Sequence, residues 1–232
     1  MNRMKSAAPL VTKAAARAVD ARGIMRNPYF LALSSGAMTL PDFRRTQEQF
    51  FYAVTFFPRP MATLLARIPD PKARLDILHN LVEEHGEFKE RAFHHNTFQT
   101  FLKSIGGSVK NGLPLWPEVR AFNSVLTTAC TFDEVEVGVA CMGVIEYSFA
   151  RISAVIGKAV VARGWVEERR LAHYKLHAEI DERHSEEFFA IVERAWRKPA
   201  RRYFIEQGLS LGLYAFDRLY RDLRETSLER GV

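Results

Sequence analysis

A long apolar segment with one acid deep inside it constrains the fold of this chain more than any other feature. Residues 135–150 are apolar on every face of a helix, which predicts a helix that is buried on all sides. Glu146 lies well inside this segment, where a carboxylate is costly unless it is paired, protonated or bound to a metal. A salt bridge to an arginine such as Arg151 would satisfy Glu146, and so would a metal ion.

The rest of the sequence also predicts helices, because no segment alternates between apolar and polar residues for long. Thr39 and Asp42 indicate one helix start, and Thr131 with Glu134 forms a capping box that predicts another. No linker rich in Gly, Ser or Pro divides the chain, so we expect a single helical domain over residues 1–232. Its fold class is all-α, a bundle of about seven helices. The expected helices cover residues 10–21, 39–57, 71–86, 90–105, 131–163, 166–198 and 201–225.

Charge argues against a nucleic-acid partner. The net charge is +6 and the pI about 9.4, but the basic residues are interleaved with glutamates along the chain. One dense basic cluster stands near Pro199, and we expect it to be a solvated helix end rather than a phosphate-binding patch. This cluster consists of Arg194, Arg197, Lys198, Arg201 and Arg202.

Cysteine and hydropathy patterns bear on location. Cys130 and Cys141 provide neither a disulfide framework nor a CxxC motif, which fits a reducing compartment. We expect no membrane partner, since no apolar stretch approaches the roughly 18 residues that a membrane span needs. The apolar run at residues 7–11 is too short for the core of a signal peptide and is followed by Lys13. A cytoplasmic protein is therefore expected.

Three side chains on one predicted helix have the types and the spacing of metal ligands. His177, Asp181 and His184 are separated by four and three residues, so they fall within roughly 60° on one helix face. Imidazole and carboxylate groups bind divalent iron or zinc. His173 lies on the same stripe one turn earlier, and we expect it to support the ligands rather than to bind. A solvated polar stripe is the alternative, because charged residues such as Glu182 lie nearby.

A third group of donors lies on two earlier helices. Glu84 ends one predicted helix and His94 lies on the next, in a region where several acids and histidines make accidental pairs common. Together the three groups supply three carboxylates and three histidines, which is what a dinuclear iron site needs. The Glu-x-x-His element of ferritin-type bundles is missing, which excludes a ferritin-type site. The candidate metal ligands, which are also the candidate catalytic residues, are Glu84, His94, Glu146, His177, Asp181 and His184.

These residues resemble the pattern of the haem-oxygenase-like di-iron oxidases, a family related in fold to thiaminase II and to the pyrroloquinoline-quinone synthase. The resemblance covers residues 43–189. The family's Asn-Leu-x-x-Glu pattern favours Glu84 over Glu83 and Glu87, and His95 is the alternative to His94. The similar segments are Gln49-Phe50-Phe51, Asn80-Leu81-Val82-Glu83-Glu84-His85-Gly86 with His94 ten residues after Glu84, Glu146 in its apolar helix, and His173-Tyr174 through His177, Asp181 and His184.

The resemblance implies a haem-oxygenase-like bundle that activates dioxygen at two Fe(II) ions through a peroxo-di-iron intermediate. Family members include a fatty-acid decarboxylase, an amino-acid-fragmenting lyase, N-oxygenases and an aminobenzoate synthase, so the resemblance does not select a reaction. The expected substrate is a small amino acid or fatty acid derivative that carries a carboxylate or an amine. The basic charge of the chain favours an anionic substrate. The expected partners are this small-molecule substrate and a second copy of the chain in a homodimer.

Two other functions remain compatible with the sequence. A metal-free enzyme similar to thiaminase could use the same fold, although Cys141 would face the core as a packing residue. The chain could also be a helical interaction module, in which the His/Asp stripe would lie on the surface and have no catalytic role. A haem site is excluded, because its axial histidine would lie near the N-terminus and the first histidine here is His79. Either a substrate pocket or plain core could be formed by Phe50, Phe51, Tyr52, Phe56 and Phe57.

Overall fold

The computed structural model describes residues 8–109 and 114–230, and these residues form an all-helical fold. They contain ten α-helices, four short 3-10 helices and no β-strand. The all-α class is confirmed, whereas the expected number of about seven helices was too low. The helices are α1 (Pro9–Arg22), α2 (Pro28–Ser35), α3 (Leu40–Val54), α4 (Pro58–Arg67), α5 (Pro71–Glu84), α6 (His94–Ser104), α7 (Pro117–Thr131), α8 (Val135–Ala162), α9 (Ala172–Trp196) and α10 (Pro199–Glu229).

Prolines explain much of the difference in helix number. Most of the helices carry a proline in their first turn, where its missing N–H costs no hydrogen bond. The helix expected over residues 39–57 ends at Val54, and α4, which was not expected, begins at Pro58. The predicted start of α3 is confirmed, since the Thr39 hydroxyl accepts a hydrogen bond from the Asp42 N–H at 3.2 Å.

Three other predicted helix starts were wrong. Thr131 does not cap a helix, because α7 begins at Pro117 and extends through Thr131. Helix α8 begins after Glu134, and no side-chain hydrogen bond caps it. The helix expected from residue 166 begins only at Ala172, after a 3-10 turn at Glu168–Arg170. A similar turn at Glu90–Ala92 delays the start of α6 to His94.

Helix α8 is the centre of the bundle and packs most extensively against α9 and α10. Contrary to the expectation from sequence, it is long and apolar enough by length and composition to cross a membrane. However, 78% of its most apolar window is buried inside the fold. The apolar side chains on all its faces are thus covered by neighbouring helices, as in the core helix of a folded domain.

Glycines allow the neighbours of α8 to approach its backbone. A Cβ atom on Gly208 of α10 would lie 2.3 Å from the carbonyl oxygen of Val137, and one on Gly212 would lie 2.7 Å from that of Cys141. On the α9 side, a Cβ atom on Gly143 would lie 2.8 Å from the Phe188 side chain. Since real Cβ atoms do not approach so closely, the packing that positions α8 requires glycine at these sites.

Replacement of Gly208 tests this packing. Gly208→Val should lower the free energy of unfolding by about 1–3 kcal/mol, because the added side chain overlaps the α8 backbone. Urea denaturation followed by circular dichroism measures the change. Gln207→Val, at the exposed preceding position of α10, is the control and should stay within about 0.5 kcal/mol of wild type. Equal stability of both variants would contradict the close approach.

Candidate metal centre

The six candidate ligands lie together in the interior of the bundle. Glu84 ends α5, His94 begins α6, Glu146 lies on α8, and the remaining three lie on α9. None exposes more than 7% of its surface, and Asp181 and His184 are fully buried. The alternative of a solvated polar stripe on α9 is therefore wrong.

Helix α9 presents its three donors to one region, as their spacing predicted. Asp181 lies between the two histidines, with its Oδ1 atom 2.8 Å from His177 Nδ1 and 3.9 Å from His184 Nδ1. Glu146 approaches from α8, and one donor atom from each of Glu146, Asp181 and His184 lies within 4.8 Å of the others. These three atoms could hold one metal ion.

A tight turn brings Glu84 and His94 to the same place. Glu84 Oε1 lies 2.9 Å from His94 Nδ1, and the His94 ring centre lies 4.6 Å from that of His177. Between them, Gly86, Glu87 and Phe88 all have positive φ angles, from 51° to 65°. A Cβ atom on Gly86 would lie 2.5 Å from the backbone of Ala92, so this reversal requires glycine there.

No salt bridge among residues 8–109 and 114–230 satisfies Glu146. Arg151 is exposed, donates to the Tyr147 hydroxyl at 3.1 Å and lies 3.8 Å from Asp20. No other lysine or arginine in the described part of the chain forms an ion pair with Glu146, so this alternative is wrong. Its Oε1 atom is buried without a hydrogen-bond partner.

Burial sets the charges of the cluster. Desolvation, followed by the nearby carboxylates, raises the pKa values of Glu146 and Asp181 well above their usual range. Burial would also raise the pKa of Glu84, but the adjacent His94 outweighs it and the net shift is downward. Burial lowers the pKa values of His177 and His184 to about 4, so both imidazoles are neutral at pH 7. Neutral imidazoles and carboxylates are the donors that a divalent transition-metal ion takes.

Unpaired buried atoms show that the cluster fits a metal. Leaving a buried polar atom without a partner costs about 1–3 kcal/mol, and such atoms are rare in folded proteins. Among the described residues, four such atoms belong to candidate ligands. They are Glu146 Oε1, His177 Nε2, Asp181 Oδ2 and His184 Nδ1.

Two of the three alternative ligands, Glu87 and His95, lie away from the cluster. Glu87 is exposed and pairs with Lys89 at 3.3 Å. His95 is also exposed, and its Nε2 atom lies 3.0 Å from the Gln99 amide. The structure thus brings Glu84 and His94 to the cluster, but not Glu87 or His95.

Two charged residues lie beside the cluster in roles that the sequence analysis did not predict, and one of them, Glu83, was there an alternative to Glu84. Glu83 Oε2 lies 2.7 Å from His184 Nε2, and Arg183 Nη2 donates to both carboxylate oxygens of Glu83 at 2.7 and 2.8 Å. Arg183 also pairs with Glu187 at 3.0 Å. This network holds the Nε2 side of His184, so its Nδ1 atom is left free on the side of Asp181. Their positions next to Glu84 and His184 in the chain were the available signal.

Asn80 is the first residue of the Asn-Leu-x-x-Glu pattern, and the sequence indicated no role for it. It lies one turn before Glu84 on α5, exposes 1% of its surface, and neither amide atom has a hydrogen-bond partner. Although burial dominates the raised pKa of Glu146, the Asn80 amide acts against it. Asn80 therefore lies close enough to influence that carboxylate.

An apolar cavity adjoins the cluster, with Glu84, Glu146 and His177 in its wall. Of the five aromatic residues considered from the sequence, Phe50 and Phe57 line it, whereas Phe51 packs against His95. No lysine or arginine is among the described residues that line it. The other lining residues are Ala53, Val54, Phe122, Ile145, Phe149 and Phe216.

Comparison with known proteins supports a common family. Residues 44–213 match the family described as iron-containing redox enzyme. The chain is 24% identical over 183 residues to a 4-aminobenzoate synthase of Chlamydia muridarum, covering 75% of this chain and 74% of that protein. It is 25% identical over 187 residues to a 4-aminobenzoate synthase of Nitrosomonas europaea, covering 76% and 75%.

Solved structures share the fold at low sequence identity. A domain of Shewanella denitrificans with a heme oxygenase-like fold superposes with a TM-score of 0.77 at 15% identity, covering 95% of this chain and 94% of that one. A CADD-like protein of Nostoc punctiforme also gives 0.77 at 15% identity, covering 94% and 96%. A TenA homologue of Pseudomonas syringae gives 0.75 at 15% identity, covering 97% and 99%. The haem-oxygenase-like fold expected from the sequence is thereby confirmed.

Substitution of Glu83 tests whether it orients His184. Glu83→Gln removes the charge that holds the His184 Nε2–H and that pairs with Arg183, so anaerobic ferrous iron affinity should fall about 10–100-fold. Competition with a chelating dye measures this affinity. Glu87→Gln removes an exposed acid a few residues away and should bind like wild type. Unchanged affinity in Glu83→Gln would show that this carboxylate does not support the site.

Proposed function

This chain belongs to the iron-containing redox enzyme family, and we propose that it is an oxygen-dependent di-iron oxidase that acts on a small molecule. The observation that carries the proposal is the cluster of six buried donors, most of which keep an unpaired donor atom. Such a cluster is unfavourable without a cation and favourable with one.

The donors suggest how two ions would be shared. Glu146, Asp181 and His184 would hold one ion, since their donor atoms already lie together. Glu84, His94 and His177 would hold the second. Two ferrous ions carry four positive charges, and the three carboxylates cancel about three of them. The remaining positive charge would attract an anionic group, in agreement with an acidic substrate.

The iron ions would supply the capacity to bind and reduce dioxygen. The protein's own contribution is position and exclusion of water. Phe50, Phe149 and Phe216 line the cavity at the donors and leave little polar surface for bulk water. A substrate held there would have its reacting group next to Glu146 and His177, which gains from proximity.

The cavity and the relatives support a substrate with an apolar body and one carboxylate or amine. Most lining residues offer aromatic and aliphatic contacts to the body of the substrate. Only the side of the cavity formed by Glu84, Glu146 and His177 can interact with its charged group. Relatives at 22–25% identity are named 4-aminobenzoate synthase, after a small aromatic amine with a carboxylate. We propose that this chemistry takes place in the cytoplasm, because the free thiols of Cys130 and Cys141 fit a reducing compartment.

A metal-free enzyme remains the second candidate, because TenA homologues share this fold. Neither cysteine supports it as a nucleophile. Cys130 and Cys141 are fully buried, and burial raises the pKa of Cys141 to about 12 and also raises that of Cys130. The unpaired donors around Glu146 favour the metal-dependent enzyme over this alternative.

Iron stoichiometry tests the proposal directly. Protein loaded with ferrous iron under nitrogen should hold about two irons per chain after desalting, as in other di-iron bundles. His184→Ala should lose at least one, because a fully buried ligand is removed. His85→Ala, on an exposed histidine near the same site, is the matched control and should keep both. Elemental analysis with an optical spectrum under oxygen gives the result, and wild-type protein without bound iron would reject the proposed function.

Glu146→Gln separates a ligand from a structural acid. The amide has the same volume and removes one of three adjacent carboxylates, so the metal-free variant should melt at or above the wild-type temperature. Its oxygen-dependent absorbance change should fall by more than about 100-fold, because an anionic ligand is lost. Differential scanning calorimetry and stopped-flow absorbance measure the two effects. A large drop in melting temperature with two irons still bound would show that Glu146 has a structural role instead.

A further inference from the structure

His173 is a fully buried histidine that the proposed ligand set leaves unused. It lies on α9 one turn before His177, and the centres of the two rings are 4.4 Å apart. Its ring centre is 6.4 Å from that of His94. His173 therefore adjoins the two histidines assigned to the second ion.

The tautomer of His173 follows from its contact with Thr97. The Thr97 hydroxyl donates its one proton to the His94 carbonyl oxygen at 3.0 Å. Toward His173 Nδ1, 3.2 Å away, the same hydroxyl can only accept. His173 Nδ1 therefore carries the proton, and Nε2 of the neutral ring has a free lone pair. That Nε2 atom is buried and has no hydrogen-bond partner.

The same arrangement occurs at both outer candidate ligands of α9. His177 Nδ1 contacts Asp181 at 2.8 Å and its Nε2 is unpaired, while His184 Nε2 contacts Glu83 at 2.7 Å and its Nδ1 is unpaired. One ring nitrogen held by an oxygen and the other left open is the usual state of a metal-binding histidine. His173, held by Thr97, follows this pattern.

The described residues around His173 offer no other partner for the open nitrogen. Phe98 packs edge-on against the ring at 4.7 Å, and the Tyr174 ring lies 5.3 Å away. The Tyr174 hydroxyl donates to Gln47, so it is not available to His173. A lone pair without a donor in an apolar setting costs free energy, which a metal ion would recover.

We propose that His173 supplies a further nitrogen ligand to the metal centre, beside His94 and His177. This inference rests on the proposed function and extends its ligand set to seven residues. It gives the two ions different surroundings. One ion would have mostly carboxylate oxygens from Glu146 and Asp181, and the other would have mostly imidazole nitrogens. Because the two sites would then differ in donor type and in charge, two ions of the same metal should bind with unequal affinities.

His173→Phe tests the proposal with cobalt(II) as the metal probe. Phenylalanine keeps a ring against Phe98 but has no nitrogen. Titration under nitrogen, followed by visible absorption, should give two cobalt ions per wild-type chain. In the variant, one of the two should bind at least about tenfold more weakly, with altered bands because its coordination changes. His95→Phe, an exposed histidine of α6, is the matched control and should give the wild-type titration and spectrum.

Thr97→Val provides a second variant that leaves the His173 side chain itself unchanged. It removes the oxygen that fixes the His173 tautomer, so it should weaken the same ion by a smaller factor. Melting temperatures of the metal-free proteins report on packing, and His173→Phe should not lie below wild type. Two cobalt ions bound by His173→Phe with wild-type affinity and spectrum would overturn the proposal while leaving the di-iron function intact. Wild-type protein that binds no pair of ions would instead overturn the proposed function.

Discussion

The burial of several carboxylates beside neutral histidines is the constraint on which the rest of this structure depends. Desolvation raises the pKa values of Glu146 and Asp181, and each carboxylate makes the charge of the others more costly. No arginine or lysine of the described residues enters the cluster to compensate. A bundle that keeps such a cluster at its centre gives up stability in the metal-free state, and bound divalent cations would restore it. The proposed metal centre would thereby be coupled to the fold as well as to the chemistry.

Close helix packing makes this arrangement rigid. Gly143, Gly208 and Gly212 let α9 and α10 approach the α8 backbone, so Glu146 has little freedom to move out of the core. Across the cluster, the left-handed turn after Gly86 determines how α5 meets α6 and hence how Glu84 meets His94. Ligands held by packed helices and a tight turn are preorganised, and binding need not order them.

The fold alone does not decide the activity. TenA homologues and the CADD-like protein superpose over nearly the whole chain, although their sequences are only about 15% identical to this one. What distinguishes an iron enzyme on this scaffold is the set of side chains that line one end of an apolar cavity. Two contacts outside the candidate ligands support that set. Glu83, held by Arg183, contacts one ring nitrogen of His184, and Thr97 contacts one ring nitrogen of His173. Each contact would leave the other ring nitrogen available to a metal.

The sequence by itself determined that α8 is buried, that Glu146 is a costly acid inside it, and that His177, Asp181 and His184 share one face. These conclusions follow from periodicity within single helices, which is local. Only the tertiary structure decided between Glu84 and Glu87 and between His94 and His95. Glu84 ends α5 whereas Glu87 lies in the turn that follows, and the adjacent His94 and His95 point to different sides of α6. It also revealed the roles of Glu83 and Thr97. The partner of Glu83 lies 101 residues away along the chain, and the partner of Thr97 lies 76 residues away. No local pattern encodes contacts across such distances.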